Sequence, residues 1–238
     1  MADRYWILGT GTWDSTSTTN WSATSGGTGG ASVPTSADNV FFDANSNVLA
    51  TAFTVTMANT PRVCNDFTAS GLDGTMTLAG TSIGLTVSGS LTFPATNFSR
   101  TYTGVTTFNA TTTGKTVTTN GVAFGANVTL NGVGGAWTLG SAISLGSNTL
   151  TITNGTFDTS SSGNYAVTAG LLSSSNSNVR TINLNASTVT LSSTSITFTT
   201  STNLTFNAGT STINCSVTSP TFAGGSKTFY NVSFTSSS

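Results

Sequence analysis

The sequence predicts an all-β protein built as a parallel β-helix or β-solenoid with a Trp-rich N-terminal cap segment. Three observations point there. Thr, Ser, Asn and Gly fill more than half of the 238 residues, Glu and Gln do not occur, and charged residues make up 5%. Helices draw on straight-chain formers such as Glu, Gln, Lys and Arg, so this composition disfavours them. The polar majority is accompanied by 9% aromatic residues and a net charge of -1, unlike disordered chains, which combine high charge with few aromatics. Finally, short apolar–Thr–apolar triplets recur along most of the chain, at steps of about six to nine residues.

The chain divides near residue 45. Residues 1–45 hold Trp6, Trp13 and Trp21, a glycine-rich turn at Gly26-Gly27-Thr28-Gly29-Gly30, and the apolar run Asn39-Val40-Phe41-Phe42-Asp43. Trp6, Trp13, Trp21, Phe41 and Phe42 are the candidate cap or attachment residues. They either pack over the first coil or offer a platform to a carbohydrate or protein partner, since Trp combines large area with an amphipathic ring.

From residue 46 to 238 the triplets take over. Met76-Thr77-Leu78, Leu85-Thr86-Val87 and Leu91-Thr92-Phe93 come first, then Val128-Thr129-Leu130, Trp137-Thr138-Leu139 and Leu150-Thr151-Ile152. Ile182-Asn183-Leu184, Val189-Thr190-Leu191, Ile196-Thr197-Phe198 and Leu204-Thr205-Phe206 follow. Alternation puts both apolar side chains of a triplet on one face and the middle residue on the other. Gly, Asn and Ser between triplets supply turns. Three steps make a coil of roughly 20–24 residues, too tight for ordinary sandwich strands and loops and suited to a right-handed solenoid. A tandem Greek-key β-sandwich is the alternative. Leu150-Thr-Ile-Thr-Asn-Gly-Thr and Leu204-Thr-Phe-Asn-Ala-Gly-Thr align without a gap, and the irregular stretch 94–127 implies rungs of uneven length or an interrupting loop. The last residues, through Ser238, keep the same grammar, which suggests a partner over that end or a longer parent protein.

Composition also bounds the chemistry. Without His there can be no His-built metal site or His-dependent triad. Six scattered Lys and Arg give no footprint for nucleic acid. No apolar run reaches the ~18 residues of a membrane span, so membrane insertion is not expected. The N-terminus shows no secretory h-region. Asp38 with Asp43, and Asp66 with Asp73, read as turn and cap acids. No catalytic, cofactor or metal residues are assigned. Cys64 and Cys215 read as buried free thiols. Thr-x-Thr pairs such as Thr54-Val-Thr56 and Thr149-Leu-Thr151 raise the idea of an ice-binding array, against which the uneven spacing argues.

Three stretches carry a resemblance. They are Arg4-Tyr5-Trp6 with Gly9-Thr-Gly-Thr-Trp13, Asn20-Trp21-Ser22 and Asp38-Asn-Val-Phe-Phe-Asp43; Trp137-Thr-Leu with Leu150-Thr-Ile-Thr-Asn-Gly-Thr-Phe157; and Phe222-Ala-Gly-Gly225 with Lys227-Thr-Phe-Tyr-Asn-Val-Ser-Phe234. With them the chain resembles bacteriophage virion proteins with Thr/Ser/Gly-rich β-helical repeats, and a related opening occurs in bacterial autotransporter passengers. The resemblance implies a non-enzymatic tail-fibre, head-fibre or capsid-decoration component, homotrimeric, with other virion proteins and a host surface glycan as partners and the virion as its location. A secreted adhesin of the autotransporter-passenger kind is the alternative, and a polysaccharide-degrading enzyme is a third reading.

Overall fold

The computed structural model describes residues 1–217 and 220–235. The terminal Ser236, Ser237 and Ser238 of the repeat segment lie outside the described residues. The protein is all-β and is a parallel β-solenoid. It divides into two compact units, residues 1–107 and 108–238.

In the first unit the chain opens with β1 (Asp3–Trp6), β2 (Gly11–Trp13) and β3 (Trp21–Ser22). One coil then comprises β4 (Asn39–Phe42), β5 (Phe53–Met57) and β6 (Arg62–Cys64). The next comprises β7 (Phe67–Ala69), β8 (Met76–Ala79) and β9 (Leu85–Val87), followed by β10 (Leu91–Thr92), β11 (Phe98–Arg100) and β12 (Thr106–Phe108). Strands stack on their counterparts one coil away. β1, β4, β7 and β10 form one parallel ladder, β2, β5, β8 and β11 a second, and β6 with β9 a third.

The second unit repeats this plan with longer strands. They are β13 (Lys115–Thr118), β14 (Val128–Leu139), β15 (Ile143–Ser144), β16 (Thr149–Asp158), β17 (Val167–Ser173) and β18 (Arg180–Asn183). β19 (Thr188–Thr197), β20 (Leu204–Asn207), β21 (Thr212–Cys215), β22 (Thr221–Ala223) and β23 (Asn231–Phe234) complete it. β16, β17 and β19 each turn a corner and serve two ladders: β19 pairs with β21 through Thr188–Leu191 and with β22 through Ser195–Thr197.

The coil length matches the triplet arithmetic. Thr116 pairs with Thr138, Thr54 with Thr77 and Thr181 with Thr205, displacements of 22, 23 and 24 residues. In the triplets the flanking apolar residues are buried and the middle residue is not, with Phe206 half-buried as the exception. Parallel ladders build both units, which excludes the sandwich alternative; β1 with β3 is antiparallel.

Three finer readings change. Coil stacking already runs through residues 3–42, because β4 pairs in parallel with β1 before it and β7 after it, so no break falls at residue 45. Trp6 and Trp13 lie on the ladder strands β1 and β2, and Trp21 lies in the stretch between β2 and β4 that lengthens the first coil, where Arg4 pairs with Val40 36 residues on. The stretch 94–127 holds rungs of normal length, with Phe98 paired to Met76 and Lys115 to Trp137; its pattern was hidden because Arg100 and Lys115 occupy positions matched to Leu78 and Trp137. The gapless match between Leu150 and Leu204 is not a structural repeat. Leu150 pairs with Leu172, whereas Leu204 pairs with Arg180 in another ladder.

Corners depend on glycine. Gly155 sits at φ +80°, and a Cβ there would lie 2.6 Å from the carbonyl oxygens of both Gly132 and Gly135. Gly146 has a similar φ of +60° with open space around it. Gly155→Ala is therefore expected to cost about 2–4 kcal/mol, conformation plus overpacking, against about 1–2 kcal/mol for Gly146→Ala. Urea unfolding of the two variants checks the difference.

Candidate functional site

The predicted cap residues separate into two groups. Strand alternation sends Trp6, Trp13 and Phe42 inward from β1, β2 and β4, and β3 brings Trp21 across them; all four are buried. Trp21 meets Trp6 and Trp13 edge-on, each with ring centroids 5.2 Å apart, and Phe42 lies 6.0–6.2 Å from the three indoles. The cluster continues through Phe67 to Phe93, at 5.5 and 5.7 Å. Being buried, the indoles present no face to solvent. Phe41 stands apart on the outer surface, half-buried and stacked on Tyr5 at 4.7 Å.

Hydrogen bonding distinguishes the tryptophans. Trp6 donates its indole N–H to the Gly9 carbonyl at 2.8 Å. The buried Trp21 N–H has no hydrogen-bond partner.

The outer face of the second unit carries ladders of Thr and Asn, one of them starting at Asp158. Thr156, Thr181 and Thr205 stand in register, as do Asp158, Asn183 and Asn207. Asn207 donates to the Asn183 amide oxygen at 2.8 Å, and Asn183 donates to Asp158 at 2.9 Å. Asn154 donates to Asn131 at 2.7 Å in the same manner. The Thr-x-Thr pairs form no lasting array: Thr56 pairs with Ala79 and Thr149 with Leu171. A groove of about 300 Å³ crosses the corner of β14, β16 and β18, floored by Gly134, Gly135 and Gly155 and rimmed by Asn154, Asn178 and Val179.

Beneath that groove lies Arg180, 1% exposed. Its Nε donates to the Ser174 hydroxyl, Nη1 to the Asn178 and Thr202 carbonyls, and Nη2 to the Ser174 and Thr200 carbonyls, at 2.7–2.9 Å. All five guanidinium N–H groups are thus used on neutral acceptors. Burial pushes its pKa down. Arg180 staples turns from successive coils together, a role the sequence reading missed. The signal was present, because Arg180 is in phase with the inward residues Ile182 and Leu184.

The acids serve the backbone. Asp43 caps the turn Ala44–Ser46 through Asn45 and Ser46, Asp66 accepts from the Ser90 amide at 2.7 Å, and Asp158 accepts from the Ser160 amide at 2.7 Å. The Ser17 hydroxyl and the Thr16 and Ser17 amides hold the Asp14 carboxyl below its usual value. For Asp38 burial works against ionisation, but Thr35, Arg4 and the Ala2 amide outweigh it and lower the pKa. Cys64 and Cys215 are buried and free, and burial, aided by Asp66, pushes the Cys64 thiol up. Comparison with protein-family models, with curated proteins and with solved structures gives no match.

Two outcomes follow from these contacts. Trp6→Phe should be more destabilising than Trp21→Phe by about 1–2 kcal/mol, because only the former strands a carbonyl that had a donor; paired denaturation curves read this. The lowered carboxyls of Asp14 and Asp38 contribute stability that is present above about pH 4 and is lost as pH falls through their folded values. With no His, the melting temperature should stay level between about pH 5 and 8 and drop below about pH 4, less steeply in Asp38→Asn.

Proposed function

We propose that this chain is a non-enzymatic structural component of a bacteriophage virion, of the tail-fibre, head-fibre or capsid-decoration type, working as a homotrimer assembled in the host cytoplasm. The reading rests on the sequence resemblance and on one structural contrast. The edge of β1 is covered by the antiparallel strand β3, with Tyr5 paired to Ser22 and Trp6 to Trp21. β23, the last described strand, pairs with β21 and carries Phe234, 54% exposed, beside Tyr230, 59% exposed. Phe222 packs on Phe229 and Phe234 at 4.9 and 5.7 Å, so an aromatic cluster comes to the surface at that strand. Exposed aromatic side chains grouped on one surface are sites of association. Charge would oppose such contact, and the outward ladders around it are Thr, Asn and Ser.

Light scattering on the purified protein should give three times the 24.0 kDa chain mass. Phe234→Lys should shift it toward monomer with an unchanged far-UV spectrum, since a lysine on a strand edge blocks pairing. In purified phage particles carrying the gene, mass spectrometry should find the chain at fixed stoichiometry. A wild-type monomer at the highest soluble concentration, or absence from the particles, would overturn the reading.

A further inference from the structure

The first unit contains an arginine that is buried like Arg180 but bonded differently. β6 pairs with β9 one coil further on, with Arg62 in register with the buried Leu85. Arg62 thus occupies an inward position and is 4% exposed. Its Nε donates to the Thr60 carbonyl at 2.9 Å and its Nη2 to the Thr60 hydroxyl. Nη1 makes no hydrogen bond, yet it is not among the fully enclosed unpartnered nitrogens. Arg62 lines a groove of about 290 Å³ bounded also by Ser15, Val33, Pro34, Thr35, Pro61 and Val63.

We propose that this groove is a binding site for a carboxylated sugar of the hexuronate type, with the Arg62 guanidinium as its anchor. A guanidinium edge with free N–H groups matches a carboxylate fork, and charge-assisted bonds of this kind are strong when partly desolvated. The volume sits at the small end of ligand pockets, enough for one sugar ring. Val33, Pro34, Pro61 and Val63 offer apolar contact to a ring face, and the Ser15 hydroxyl offers a polar contact at the rim. Arg180 is the internal control: where the fold uses a buried arginine only as a staple, every N–H is spent. Asp14 is the nearby acid felt by Arg62, but its oxygens are held by Thr16 and Ser17, and the ion pair found among the described residues is Arg4 with Asp38. The inference stands on the groove alone and does not depend on the virion reading.

The test is amide NMR titration of the full chain with glucuronate, with glucose as the neutral counterpart and acetate as the bare anion. Glucuronate should give saturable shifts at Ser15, Thr35 and Val63 with a Kd of ~1 mM, glucose none, and acetate at least tenfold weaker binding. Arg62→Gln should abolish the glucuronate response. Should that variant fold poorly, Ser15→Phe fills the groove while leaving Arg62 in place, and should abolish it as well. Equal response to glucose or to acetate, no shift with glucuronate, or an undiminished response in folded Ser15→Phe would overturn the proposal.

Discussion

Everything in this molecule depends on the constancy of its coil. Beyond the longer first coil, a parallel ladder joins each paired residue to one 19–27 positions on, so an inward side chain rests on the inward side chain of the next coil. A single-residue slip would turn every apolar side chain outward. The triplets hold that register: two apolar residues face in, and one hydroxyl or amide faces out to bond its equivalent above and below. Thr77 and Ser99, 3.0 Å apart through their hydroxyls, show the link in the first unit, and Asn183 with Asn207 in the second.

The same constraint explains the scarcity of charge. In a stacked ladder each outward residue has a like neighbour directly overhead, and like charges so placed repel, whereas amides and hydroxyls donate and accept in turn. The one acid in the second unit, Asp158, stands beneath Asn183 and Asn185, both donating to it. Buried cations are tolerated where carbonyls of adjacent turns converge, as around Arg180.

How much of this could be read from sequence depended on whether side-chain pattern and backbone geometry agree. Met76-Thr77-Leu78 and its kin declared both strand and facing, whereas nothing in the spacing of the three early tryptophans declared that they pack on one another inside the first coil. Asn131-Gly132-Val133-Gly134-Gly135 reads as a turn, yet it lies within strand β14, because its glycines let the backbone bend round a corner, where the ladder to β16 shifts register and resumes at Ala136. Arg62 and Arg180 were legible in phase but not in partner, since what a buried guanidinium touches is set by loops far away in sequence. The groove around Arg62 joins residues 15, 33–35 and 60–63, a proximity no local pattern encodes.

The covering of β1 by β3 also bears on how the fold is reached. Trp6 meets Trp21 after a loop of fewer residues than any full coil, so this antiparallel contact is the cheapest long-range closure in the first unit. Once it forms, each later coil adds by closing a loop of nearly fixed length onto an existing edge, like thread wound on a spool already fastened at one end. Contact separation in such a chain does not grow as coils are added, and its folding speed is set by the winding step and not by the total length.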